Sequence, residues 1–153
     1  MKSRLFAAAM LLAASPAAAD EPVNMLMIDG TCQTLILGAD DFSAACQDQI
    51  LQMVYDTGRA GLYAFADEMI VSFSGASDEI VDSEIHQTLD QVLLGHGEHN
   101  IRAQKVKGTC IFENPYQGVA ARFTCTANKK DGTRYDLVFI TDGNAPVDHL
   151  AAE

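Results

Sequence analysis

Over long stretches of the chain apolar and polar side chains alternate with a period of two, the spacing that sends successive side chains to opposite faces of an extended strand. Val119, Ala121, Phe123, Cys125 and Ala127 alternate with Ala120, Arg122, Thr124 and Thr126, and Tyr135, Leu137 and Phe139 alternate with Asp136, Val138 and Ile140. Between them, Asn128 to Thr133 contains Asp131-Gly132, a turn in which Gly accepts the positive φ of a tight hairpin. Met69, Val71 and Phe73 form another alternating run that stops at Ser74-Gly75. Leu62 to Ala66 and Gln49 to Tyr55 are also extended, joined through Asp56-Thr57-Gly58, and Gln33 to Leu37 and Ile101 to Val106 complete the series. The pattern predicts a mainly β domain, an antiparallel sandwich or small barrel of about seven to eight strands.

Residues 77–94 carry two periods. Val81, Ile85, Leu89 and Val92 fall at helical spacing behind Ser77, Asp78 and Glu79, which can open a helix. Thr88 to Leu94, ending at Gly95, fits a strand equally well, and periodicity alone does not decide between them.

The four cysteines fall in two similar units. Gly30-Thr31-Cys32 precedes Cys46, Gly108-Thr109-Cys110 precedes Cys125, and each unit spans one hairpin-sized segment. An even number of cysteines in an exported chain predicts disulfides, and locality favours Cys32–Cys46 and Cys110–Cys125 among the three possible pairings. Closing a loop of that size stabilises the fold by roughly 3 kcal/mol through lost unfolded-chain entropy. Neither the Cys-x-x-Cys of a redox site nor a pair of zinc knuckles is present.

The first residues change the picture of where the chain goes. Lys2 and Arg4, the apolar run Leu5 to Ala14 and Ala17-Ala18-Ala19 have the layout of a signal peptide cleaved after Ala19. Residues 20–144 are then a single β domain, 145–153 a loose tail, and the location periplasmic or secreted. The apolar run is too short for a membrane span, which needs ~20 residues. The leader carries two of the 10 basic residues and none of the 21 acidic ones, so residues 20–153 hold 8 against 21, a net charge of −13. That field disfavours nucleic acid and anionic membrane surfaces, and it favours a cationic or basic protein partner.

Candidate chemistry is sparse. His96-Gly97-Glu98-His99 could offer two imidazoles and a carboxylate to a metal, but Gly95 and Gly97 make a flexible turn, so no metal site is expected. Asp78, Glu79, Asp82 and Glu84, like Asp40-Asp41, lack the spacing of a calcium loop. No nucleophile elbow, phosphate loop or Ser-His arrangement is present. No catalytic residue, cofactor or metal ligand is therefore assigned.

The order of several short motifs carries a resemblance: Gly30-Thr31-Cys32, Cys46, Gly58-Arg59, Phe73-Ser74-Gly75, Leu89-x-x-Val92 with Asp90, Gly108-Thr109-Cys110, Cys125-Thr126-Ala127 and Gly132-x-x-Tyr135. Over roughly residues 28–141 the chain resembles a family of short exported bacterial proteins of uncharacterised function with paired Gly-x-Cys…Cys units. It departs at Ile85, where the resemblance implies Tyr. The resemblance implies a loop running from the Phe-Ser-Gly turn to about Glu84, then a strand over Ile85 to Leu94 carrying Asp90. It implies a fold and an address but no activity. Two readings stay open: a non-catalytic binding or interaction module, which the charge and the missing catalytic motifs favour, and a hydrolase or metal-dependent enzyme assembled from residues distant in sequence.

Overall fold

The computed structural model describes residues 20–97 and 100–151. The proposed leader, together with Glu98 and His99, lies outside the described residues. The first half of the chain supplies β1 (Pro22–Leu37), β2 (Asp40–Asp41), β3 (Cys46–Tyr55), β4 (Ala60–Ala66) and β5 (Met69–Gly75). The second half supplies β6 (Ser77–Val81), β7 (Glu84–His96), β8 (Asn100–Phe112), β9 (Arg122–Asn128), β10 (Arg134–Thr141) and β11 (Val147–Asp148). No helix occurs among the described residues.

Eight of these strands form a closed antiparallel barrel in the order β10-β9-β8-β7-β5-β4-β3-β1, sealed by pairing of β10 with β1. Every barrel strand lies beside its sequence neighbour, apart from the short β2 and β6, so each connection is a local hairpin. Closure satisfies the backbone groups that an open sheet would leave at its edges. One face of each strand fills the interior: Phe73, Phe123, Phe139, Ile28, Leu35, Ile50, Leu62 and Leu137 are all fully buried. The alternation in Tyr135–Phe139 and Phe123–Ala127 is therefore the inward face, as the sequence pattern predicts.

Both disulfides join the expected partners. Cys110 and Cys125 stand directly opposite each other on β8 and β9. Cys32 and Cys46 tie β1 to the start of β3 across the β2 loop.

The Gly-Thr-Cys motif has a second role. β1 pairs with β3 up to Asp29↔Gln49 and with β10 from Gly30↔Thr141 onward, so the strand changes neighbours at Gly30. On β8, pairing with β9 begins at Lys107↔Asn128, next to Gly108. A Cβ at Gly30 would collide with the backbone of Ile140 and Thr141, and one at Gly108 with that of Thr126 and Ala127. The glycine lets two backbones touch where a strand bends, and the cysteine two residues later fastens the bend.

One expectation is corrected. Residues 77–81 are a strand, not a loop or a helix: β6 pairs with β7 from Ser77↔Thr88 to Val81↔Glu84. The turn is Asp82-Ser83 with φ of 48° and 72°, the left-handed pair of a tight hairpin. Along the segment expected to be a loose tail, Val147–Asp148 pair with Met27 and Leu26 of β1. There Asp148 accepts hydrogen bonds from Asn24 Nδ2 (2.8 Å) and from the Leu150 amide (2.9 Å).

If the bends need glycine, Gly108→Ala should lower unfolding stability by about 2–3 kcal/mol, the cost of overpacking against backbone that cannot yield. Gly95→Ala, whose Cβ would meet nothing closer than Ile101 Cγ1 at 3.6 Å, should be neutral or stabilising by at most about 1 kcal/mol. Urea unfolding of the oxidised proteins checks the pair, and equal losses in both would contradict this role for Gly108.

Candidate functional site

At one end of the barrel the wall parts. β4 and β5 run together as far as Ala60↔Gly75. Beyond that point the chain leaves β4 and continues as β6 against β7. Gly75 permits the turn: a Cβ there would strike the Thr88 carbonyl of β7. The gap between β6 on one side and the β3–β4 turn on the other is the mouth of the barrel.

Separating two paired strands leaves carbonyls with no strand partner, and buried carbonyls need donors. Gln87, buried on β7, fills that need from inside. Its Nε2 donates to Ala60 O at 2.8 Å and to Gly75 O at 3.4 Å, one on each side of the fork.

Arg59 holds the same fork from outside. It sits in the β3–β4 turn, where Nη1 donates to Ser74 Oγ (3.0 Å) and Asp90 Oδ1 (2.9 Å) and Nη2 donates to Asp90 Oδ2 (2.8 Å). The forked guanidinium matches the carboxylate in a two-pronged pair. It thus links the turn to β5 and β7 across the parting strands. The Arg59 hydrogen bonds hold the Asp90 carboxyl below its ordinary pKa, against a smaller opposing effect of burial. Next to this latch, Tyr55 and Tyr63 share a hydroxyl–hydroxyl hydrogen bond of 2.9 Å. Burial, followed by that bond, pushes the Tyr55 phenol above its ordinary pKa, so it stays neutral.

The opening encloses a cavity of about 440 Å³. Leu26 of β1, Val54 of β3, Ala60 of β4 and Phe112 and Phe123 of β8 and β9 form its apolar wall, and Ile80 and Ile85 of the β6–β7 hairpin form its rim. Phe112 and Phe123 pack with ring centroids 5.0 Å apart at 58°. Its polar lining comprises Asn24, Gln52, Ser83, Gln87, Asn114 and Tyr116, with Asp78 and Glu113 the acids among the described residues. Among the described residues neither Lys nor Arg lines the cavity. Apolar walls with convergent polar groups are the general character of small-molecule sites.

The residues singled out by sequence scatter differently. Asp78 and Glu79 lie on β6, Asp82 in its turn and Glu84 at the start of β7, so the acidic run is the outer flank of the mouth. Asp82 and Glu84 join Glu113 around a smaller hollow of about 230 Å³. Glu84 also contacts His86 Nε2 at 3.2 Å. His96 is at the far end of β7, exposed and paired with Asn100 and Met69. Asp40 and Asp41 form β2, where Asp41 accepts the Ser43 amide at 2.9 Å and is held below its ordinary pKa by Ser43. Among the described residues no three His, Cys, Asp or Glu side chains gather as a metal site would require. Arg59, Ser74 and Asp90 came from three separate motifs, and the fold makes them one contact. Gln87 carried no motif; its one signal was an amide at an inward position between Ile85 and Leu89.

Comparison of the chain with protein-family models, with curated proteins and with solved structures gave no match.

The latch generates a pH prediction. A carboxyl held below its unfolded pKa of ~3.9 stabilises the fold above that value, and the contribution is lost as acid protonates the folded carboxylate. The Asp90 side chain is 52% exposed, so Asp90→Asn should cost no more than about 1 kcal/mol at neutral pH. Urea unfolding of both proteins should show that difference fading below ~pH 3.9. A difference that persists undiminished in acid would mean that Asp90 acts without its charge.

Proposed function

We propose that the protein is an exported, non-catalytic binding module that takes a small, largely apolar ligand into the barrel mouth. The observation that carries this is the 440 Å³ cavity between β6 and the β3–β4 turn. An eight-stranded barrel has an interior that side chains either fill or leave open for one small ligand. Here the lower part is filled, and the mouth is not. The acids at the rim, with no lining Lys or Arg among the described residues, favour a neutral or cationic ligand over an anionic one. This is the chemistry that the net charge of the mature chain also favours for any partner.

Two disulfides are compatible with an oxidising compartment, which supports export and removal of residues 1–19. Intact-mass measurement of the exported protein should find Asp20 at its N-terminus, and a mature chain that retains Leu5 to Ala14 would contradict this.

The ligand reading is tested by titrating the oxidised protein with a neutral solvatochromic dye. Saturable binding of one dye per chain is expected, at least tenfold weaker in an Ile80→Glu, Ile85→Glu variant. Both side chains are exposed rim residues, at 78% and 39%, so the fold should tolerate the change. Burying an aliphatic side chain contributes roughly 1.5–3 kcal/mol when complete, and about 1.4 kcal/mol is already tenfold in affinity. Unsaturable binding, or equal affinity in the variant, would sink the proposal.

A further inference from the structure

A second opening lies at the other end of the barrel. β8 pairs with β7 along its whole length, from Ile85↔Phe112 to His96↔Asn100. With β9 it pairs only from Lys107↔Asn128 to Phe112↔Phe123. Among the described residues, Asn100–Val106 therefore has no strand on the side away from β7, and its backbone groups there are unpaired. The corresponding gap on β1, where β3 departs, is filled. There the Phe42 amide donates to Leu35 O (2.8 Å), Ser43 Oγ accepts the Leu35 amide (3.0 Å), and Asp48 Oδ1 accepts the Cys32 amide (3.1 Å). Cys32–Cys46 anchors that cover.

Beside the open stretch of β8 lies a hollow of about 590 Å³ lined by Lys105, Val106, Lys107, Asn128, Lys129 and Lys130. These are all four lysines of residues 20–153, gathered at one place on a chain whose net charge is strongly negative. Arg102 lies on the same strand, and Ile101, Ala103 and Lys105 share one of its faces.

We propose that the open edge of β8 docks an extended acidic segment of a partner protein, added as a strand beside Asn100–Val106 with its carboxylates among the four lysines. An unpaired edge supplies the main-chain hydrogen bonds of strand addition, and the side chains around it supply selectivity. Lysines on an edge ordinarily deter pairing. In this arrangement they deter one kind: the same edge of a second copy would bring lysine against lysine, whereas an acidic strand neutralises them. A long polyanion would meet the repulsion of the whole chain, while a short segment senses the local field within the ~8–10 Å screening length.

The test uses the oxidised, ¹⁵N-labelled chain and three short capped peptides: alternating Val-Glu, alternating Val-Lys, and the Val-Glu peptide N-methylated at every second residue. The Val-Glu peptide should bind saturably, one per chain, and shift the amides of residues 101–106, 129 and 130. Binding should weaken at least tenfold with Lys129→Glu, Lys130→Glu in the β9–β10 turn, and equally on N-methylation, and the Val-Lys peptide should not bind. Equal affinity of the N-methylated peptide would reduce the site to charge attraction and overturn strand addition. So would shifts confined to other strands. Concentration-dependent self-association that perturbs residues 101–106 without peptide would make a second copy the occupant and overturn the proposal too.

Discussion

At Gly30, Gly75 and Gly108 a neighbouring backbone occupies the space where a Cβ would stand, and the shape of the barrel depends on these three contacts. An eight-stranded sheet closes only if its strands coil strongly, and a strand that coils strongly must change neighbours along its length. β1 does so at Gly30, trading β3 for β10. β8 gains β9 only near Gly108, and at Gly75 the chain passes from β4 to run beside β7 alone. Each exchange leaves a local opening between strands, and what becomes of each opening determines what the surface can do.

The three openings are treated differently. Beside β1 the loop before β3 folds over the exposed strand, and a disulfide fixes it. At the fork beyond Gly75, Gln87 satisfies the stranded carbonyls from within while Arg59 spans the gap from outside through Ser74 and Asp90. The fork is thereby stable while open, and its inner face is apolar. Beside β8 no described residue covers the edge, which is lined with lysine. The acidic mouth and the basic edge thus sit at opposite ends of one small barrel.

Much of this fold is legible in the sequence because the barrel has one face buried and one solvated. Tyr135–Phe139 and Phe123–Ala127 show that alternation cleanly, and the two cysteine pairs bracket single local closures. Where successive side chains are all exposed the signal disappears: Asp78, Glu79 and Ile80 of β6 all face solvent on the rim, so nothing in their composition separated the segment from a loop. The first half of β1, Pro22 to Ile28, is mostly half-buried, and its alternation is correspondingly faint. The candidate site was less legible still. Arg59, Ser74 and Asp90 are separated by up to 31 residues and meet only because the barrel closes. Gln87 reads as one polar residue in a strand until the fork shows which carbonyls it serves. The paired Gly-Thr-Cys motif was visible as a repeat, but its meaning, a bend followed by its fastener, is a property of the closed sheet.

Under the proposed function, the fork at Gly75 is held open as a binding mouth lined by Gln87. Side-chain amide and methyl spectra of the oxidised protein, recorded with and without a saturating neutral apolar probe, test it most directly. The Gln87 side-chain NH₂ should shift together with the methyls of Ile80, Ile85 and Val54, and the amides around Lys105 and Lys130 should not. A saturating probe that leaves the Gln87 NH₂ and these methyls unmoved would contradict it.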